Sequence, residues 1–474
     1  MLNGEVSRRS FLMRGAGLAL GAAGSGCQTR GGKAGSATRI AVFKCDVTPP
    51  LGTPIYSSYK PLAKVETPLL AKGVILEQNG CRFVLCAVDY CELCNSTHTL
   101  FQQKLAEAAG TDIANVAVQT VHQHTAPMAD ADANRFLEQM PSPPPFPATS
   151  TFTEAAERLG AAAAKAVDTL TPFNQVGTGQ GKVARVASNR RVHLDDGTIG
   201  VRYSSCKDSK LTEAPEGLID PFVKTITFAQ NGKPVARLHY YATHPQSFYG
   251  DPRASYDFAG MAREALEQQE GVFQVYFTGC SGDITAGKYN PGTPESRQGL
   301  CDRLLQGMEA SVAATQYEKA GDIGWTAVPL LLKAREDKGF TEADCRAGMA
   351  SEQAAASARN GGAMGLAWRQ RAAQPITLSA LHLGNISVVN LPGEPMIAFQ
   401  LYAQQAAPAR FVAVAGYGDC AMGYICLRSA YTEGGYEPTA TSVVPESEDA
   451  LKAAINTLLA GAAQGRTSPR PKAK

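Results

Sequence analysis

Two histidines two residues apart, His122 and His124 in Val-His-Gln-His-Thr-Ala-Pro, have the type and spacing to do chemistry. Imidazole exchanges a proton near neutral pH and is a common nitrogen ligand for metals. The pair follows residues 116–121, Val-Ala-Val-Gln-Thr-Val, whose β-branched and apolar types predict a strand. Alternation along a strand puts i and i+2 on one face, so both rings are expected to share one space. The chain has only 7 histidines, and His244 ends a second strand-like run, residues 238–243, just before Pro245. Histidines gathered at strand ends suit a metal centre or a proton-transfer site.

The elements that must position these residues can be traced along the chain. Residues 74–77 and 83–88 predict a hairpin across Asn79-Gly80 that ends in Asp89. A helix is expected over residues 99–109. Residues 130–151 are proline-rich and predict a long surface loop, and residues 153–170 predict an alanine-rich helix capped by Thr153. A strand over 235–242 leads to His244, with a helix over 258–269. Residues 275–278 lead through Gly279 into Cys280-Ser281-Gly282-Asp283. Residues 386–390 lead to Leu391-Pro392-Gly393-Glu394 and a helix over 395–405, and residues 411–415 to Gly416-Tyr417-Gly418. One long helix is expected over 342–359 and a closing helix over 447–459. No internal repeat or domain boundary is visible. Interleaved strands and helices predict an α/β or α+β fold, one large mixed-sheet domain with flanking helices. Sites in such folds gather beyond strand carboxyl ends.

Composition narrows the function. The chain has 474 residues, 44% hydrophobic and 19% charged, with a net charge of +2, so nothing argues for nucleic-acid binding. Outside the leader no apolar run is long enough for a transmembrane helix. Ser7-Arg8-Arg9-Ser10-Phe11-Leu12 resembles a twin-arginine export signal, followed by a small apolar core over residues 15–23. Residues 1–36 are therefore expected to be signal and linker, with export to the periplasm or cell surface. Cys27 is a candidate lipoprotein acceptor, although Gly24 rather than Leu stands three residues before it. The 12 cysteines are irregularly spaced, and Cys91-Glu92-Leu93-Cys94 is a lone pair without the second pair of a zinc knuckle. Residues 461–474 read as a basic, disordered tail.

Four polar tips follow four strands: His122 with His124, His244, Glu394, and a loop holding Tyr424, Tyr431 and Tyr436. Two histidines, a carboxylate and an oxygen donor are suitable zinc ligands. An open position on such a centre takes a water or a substrate carbonyl. The plainer alternative is a structural histidine at each strand end and a Glu394 that favours its helix dipole.

Seven blocks then appear in a familiar order. Cys-Asp-Val-Thr-Pro-Pro-Leu-Gly (45–52), the His122 block, Ser-Asn-Arg-Arg (188–191), Thr-His-Pro (243–245) with Tyr-Asp-Phe-Ala-Gly (256–260), Cys-Ser-Gly-Asp-Ile-Thr (280–285), Leu-Pro-Gly-Glu-Pro (391–395) and residues 423–437 resemble the catalytic domain of the neutral/alkaline non-lysosomal ceramidase family. The resemblance covers most of residues 40–440 and makes 37–460 the expected catalytic domain. It implies a Zn2+ amidohydrolase that cleaves the N-acyl bond of ceramide or a related lipid amide, with peripheral membrane contact compatible with such a substrate. It assigns zinc to His122, His244, Glu394 and Tyr424, proton transfer to His124, and the carbonyl to Arg190 and Tyr436.

Two departures stand out. Where the family has a serine assigned as nucleophile, this chain has Thr285, followed by Ala286 instead of proline. Threonine keeps a hydroxyl, but its β-methyl crowds the oxygen, which favours attack by zinc-activated water with Thr285 only positioning substrate. The family's C-terminal immunoglobulin-like domain is not expected here, because only a short basic stretch follows Leu459. Another amide or ester substrate, or a non-catalytic lipid- or glycan-binding relative, are the alternatives.

Overall fold

The computed structural model describes residues 37–464, apart from Ser57 and Tyr249. The leader, Cys27 and residues 465–474 lie outside the described residues. The α/β expectation holds, but the strands form three principal sheets and not one mixed sheet. The first orders Thr171–Pro172, Arg39–Asp46, Leu70–Gln78, Cys81–Val88 and Val116–Thr120. The second orders Phe273–Thr278, Lys233–Tyr241, Phe222–Gln230, Gln175–Lys182 and Gln316–Lys319. The third orders Ile323–Leu330, Ile376–Leu383, Ile386–Asn390 and Phe411–Ala415.

Each sheet contains the same unit, a repetition that no residue pattern reveals. An antiparallel hairpin is followed by a helix, and the next strand returns parallel to the hairpin's second strand. In the first sheet, Leu70–Gln78 and Cys81–Val88 form the hairpin, and Asn95–Ala109 leads to the parallel Val116–Thr120. In the second, Phe222–Gln230 and Lys233–Tyr241 are followed by Asp257–Glu270 and the parallel Phe273–Thr278. In the third, Ile376–Leu383 and Ile386–Asn390 are followed by Ile397–Ala406 and the parallel Phe411–Ala415. A parallel return needs such a crossover, and it leaves two strands ending side by side. Two hairpins turn on Asn-Gly, at Asn79-Gly80 (φ 55° and 77°) and Asn231-Gly232 (φ 51° and 79°). Those left-handed angles are what a two-residue hairpin turn demands, and Asn and Gly adopt them at least cost.

The three sheets share one apolar core, with Leu76 and Leu85 from the first, Ile226 and Leu238 from the second, and Leu381 and Val388 from the third. The opposite face of the first sheet, through Ile75 and Val84, packs on Leu105 and Leu159 of its helices. That of the third, through Leu378 and Val389, packs on Ile455 and Leu458 of Ser447–Gln464. Burial on both faces explains why Phe83 to Val88 reads as a continuous apolar run rather than an alternation.

Several boundaries differ from expectation. The single helix over 342–359 is two, Glu342–Ala350 and Ala356–Arg371, because the chain turns extended at Ser351 and folds back. Thr153 does not cap its helix, which begins earlier as Thr149–Val167; its hydroxyl donates to the Thr149 carbonyl instead. The helix expected from 395 begins at Ile397, since Glu394–Pro395 pair as a short parallel strand with Tyr424–Ile425. Residues 461–464, expected to belong to the tail, are the last turn of the helix Ser447–Gln464.

Candidate metal centre

The parallel-strand ends of all three units meet. Val116–Thr120 delivers His122 and His124, Lys233–Tyr241 delivers His244, and Ile386–Asn390 delivers Glu394. The two histidines of the first block do converge, their Nε2 atoms 3.4 Å apart, but strand alternation is not the cause. The strand stops at Thr120, and His122 has φ 67°, a left-handed turn that swings its ring inward. Backbone bonds to the neighbouring strand end hold that turn, from Val121 N–H to the Val88 carbonyl (2.9 Å) and from His122 N–H to the Tyr90 carbonyl (3.0 Å).

Backbone carbonyls also fix the rings. His122 Nδ1 is 2.9 Å from the Cys91 carbonyl, and His244 Nδ1 is 2.7 Å from the Ser281 carbonyl and 3.0 Å from that of Ile284. A carbonyl only accepts, so each Nδ1 carries a proton, and in the neutral tautomer this leaves Nε2 as the lone pair. Both lone pairs face Glu394 Oε2, at 3.1 Å from His122 and 3.2 Å from His244. All three side chains are buried, and neither His244 Nε2 nor Glu394 Oε2 has a hydrogen-bond partner. Burial pushes the His244 pKa down to about 4.

His244 Nε2 and Glu394 Oε2 are buried acceptors that face each other without a donor, which is costly, and a cation there resolves the conflict. Tetrahedral zinc with bonds of about 2.0–2.1 Å sets neighbouring donors roughly 3.3 Å apart, close to the observed separations. His122, His244 and Glu394 therefore fit a metal ion. A second grouping, Cys91 with His122 and His124, fits less well. It would need His122 Nδ1, already committed to a carbonyl, and a Cys91 thiol that burial pushes well up into its neutral form.

The rest of the expected set forms a wall beside this point. Tyr424 lies next to Glu394 through the short parallel pairing. Its hydroxyl accepts from Arg190 Nη2 at 3.1 Å, and burial raises its pKa well up, with Arg190 opposing. Arg190 is buried, its guanidinium 5.3 Å from the Tyr424 ring and 4.9 Å from the Tyr436 ring. Tyr436 meets Tyr424 edge-on at 5.6 Å and is half-buried, at the outer side of the wall. His124 is also half-buried, its Nδ1 has no partner, and Tyr56 lies 5.2 Å from its ring. Burial, then the imidazoles of His122 and His244, hold its pKa well below the ordinary value.

Thr285 is placed otherwise than expected. Its hydroxyl donates to the Arg202 carbonyl at 3.0 Å and accepts from Gly287 N–H at 3.3 Å. Its proton and one of its lone pairs go to local backbone, so Thr285 fastens its loop. Its strand pairs with Ser188–Asn189, which brings Arg190 to the site.

Three further neighbours of the centre had been assigned no role from the sequence. Tyr417 stacks on His122 at 4.2 Å, and its hydroxyl is 2.7 Å from Ser281 Oγ. A Gly-Tyr-Gly step at a strand end was the available signal. Gly282 N–H donates to the Pro395 carbonyl, and a Cβ at Gly282 would lie 2.4 Å from the Glu394 carbonyl. Only glycine permits that approach. Glu92 is buried in the same region, its carboxyl pushed well up by burial and then by Glu394.

No protein-family model and no curated protein matches the chain. Solved structures do. A crystal structure of neutral ceramidase from Pseudomonas aeruginosa superposes with a TM-score of 0.67 at 17% identity, covering 90% of this chain and 74% of that one. A ceramidase complexed with C2 gives a TM-score of 0.64 at 15% identity, covering 92% and 77%. The chain has the neutral ceramidase fold. At such identity the likeness speaks for architecture, and the chemistry rests on the residues above.

Proposed function

We propose that this protein is a zinc-dependent amidohydrolase of the ceramidase type, exported from the cytoplasm, that cleaves the N-acyl bond of a lipid-like amide. The observation that carries the reading is the convergence of His122 Nε2 and His244 Nε2 on Glu394 Oε2 at 3.1–3.2 Å, all buried, with no donor for His244 Nε2 or Glu394 Oε2. With Tyr424, they would hold the ion. Bound there, zinc would supply Lewis acidity, polarising the amide carbonyl and making water a better nucleophile.

The chain's own residues supply the rest. His124 is held neutral by burial and by its neighbours, so it can take a proton from the attacking water. It then gives that proton to the amine nitrogen as the carbon–nitrogen bond breaks, leaving a carboxylate and a free amine. Arg190 and Tyr436 flank the carbonyl's position and stabilise negative charge developing on its oxygen. Thr285 takes no covalent part, since its hydroxyl is bound to backbone. The ceramidase fold supports an N-acylated lipid amine as substrate.

The test is metal content and N-acyl-sphingosine hydrolysis on the purified protein and on His122→Ala and Glu394→Ala. The expected result is about one zinc per chain, with turnover lost in both variants. A metal-replete wild type that binds no zinc would overturn the reading.

A further inference from the structure

We propose that Glu437 is the positioning residue that aims Arg190 at the centre, an inference that rests on the hydrolase reading above. Glu437 is fully buried, and each carboxylate oxygen serves a different arginine. Oε1 accepts from Arg190 Nε at 2.9 Å, and Oε2 accepts from Arg191 Nη1 at 2.9 Å. Arg190 lies at the bend between Ser188–Asn189 and Arg191–His193, so two neighbouring guanidiniums can meet on one buried acid. A buried carboxylate between two arginines is weak evidence for stability, and fixing a direction is the better account of it.

The geometry shows which direction. The Arg190 backbone is already pinned, its N–H donating to the Asp283 carbonyl and its carbonyl accepting from Arg202 N–H. What remains free is a long side chain with many rotamers. Glu437 takes Nε, and the planar fork then presents Nη2 to the Gly282 carbonyl and the Tyr424 hydroxyl. Tyr436, one residue earlier, lies against the same guanidinium at 4.9 Å. Adjacent residues of one loop thus hold the guanidinium by its edge and its face. Arg191 has a separate role, reaching the Gly434 carbonyl at 2.7 Å and Glu433 at 2.9 Å and so tying down the loop.

The two roles can be separated by experiment. Glu437→Gln keeps the shape but removes the charge, Arg190→Lys removes the fork, and Glu433→Gln cuts only the outer tie of Arg191. Each is loaded with zinc and measured for kcat and KM on N-acyl-sphingosine, for zinc retention against a chelator, and for melting temperature. Glu437→Gln and Arg190→Lys are each expected to lower kcat by about 10–100-fold with KM little changed. The double variant should lose no more than the worse single, while Glu433→Gln keeps wild-type kcat. Wild-type kcat in Glu437→Gln, or losses that multiply in the double variant, would overturn the proposal and leave Glu437 a loop fastener. If Glu437→Gln does not fold, Glu437→Asp keeps the charge but withdraws it by one methylene, and the same kcat loss is expected. If wild type hydrolyses no amide, the hydrolase reading fails on its own, and zinc retention still decides. Faster zinc release from Glu437→Gln than from Glu433→Gln supports positioning through Tyr424, and equal release overturns it.

Discussion

His239 and His244 stand on the same strand and its extension, both buried, both with pKa values pushed down to about 4 by burial. Their surroundings differ in one respect. His239 has both nitrogens matched, Nδ1 with the Thr225 hydroxyl at 2.8 Å and Nε2 with Gln274 Oε1 at 2.7 Å. His244 has Nδ1 matched and Nε2 facing an acceptor with no proton to share. A perturbed pKa therefore does not separate the structural histidine from the functional one. The unmatched nitrogen does, because folding has no reason of its own to leave it so.

Exchanging the fates of the two histidines should give the largest effect. His244→Ala should cost more than about 100-fold in kcat/KM, beyond what losing an outer partner costs, while the metal-free protein melts no lower than wild type. His239→Ala should do the opposite, losing about 2–4 kcal/mol of stability through a cavity and two orphaned partners, with activity per folded molecule retained. Urea unfolding of the metal-free forms beside turnover of the loaded forms checks both. If His244→Ala costs the metal-free protein as much stability as His239→Ala does, the distinction fails.

Acid sharpens the comparison with a smaller effect. For a histidine whose folded pKa lies below its ordinary 6.5, the unfolded chain takes up the proton first. Stability is then complete above about 6.5 and falls as pH drops toward about 4. Metal-free protein should show this slope in urea midpoints between pH 7 and pH 5, and the slope should be shallower in His239→Gln. Zinc-loaded protein should lose at least as much, since a metal-bound His244 takes no proton while the unfolded chain still does.

Thr285 gives the smallest expected change. Thr285→Val removes a hydroxyl matched to backbone, and should cost about 1–2 kcal/mol with kcat close to wild type. A loss of turnover at unchanged stability would restore Thr285 to the chemistry.

How much was legible in the sequence depended on the range of the cause. Asn79-Gly80 announced its hairpin because the turn is set by two residues. Residues 116–121 read as a strand, which the structure ends at Thr120, and the three strand-end tips at 122, 244 and 394 were found from local pattern alone. The reason for His122 and His124 meeting was misread, since a left-handed backbone angle at His122 depends on Tyr90 and Cys91. Glu437 gave no signal because its partner is 247 residues away. Thr285 was weighed by its place in a motif, whereas its hydroxyl answers to Arg202. The threefold recurrence of the hairpin, helix and returning strand was invisible, as it is carried by connectivity and by no shared residues.

That recurrence bears on how the chain matures. Each unit can form its own hairpin early, since those contacts are local. The three converging side chains, however, come one from each unit, from positions 122, 244 and 394. During synthesis no two-unit fragment holds the full set, and the ion's grip arrives only when the third sheet docks. With the proposed centre, capture of an ion would thus wait for the third unit to dock, a late event of assembly.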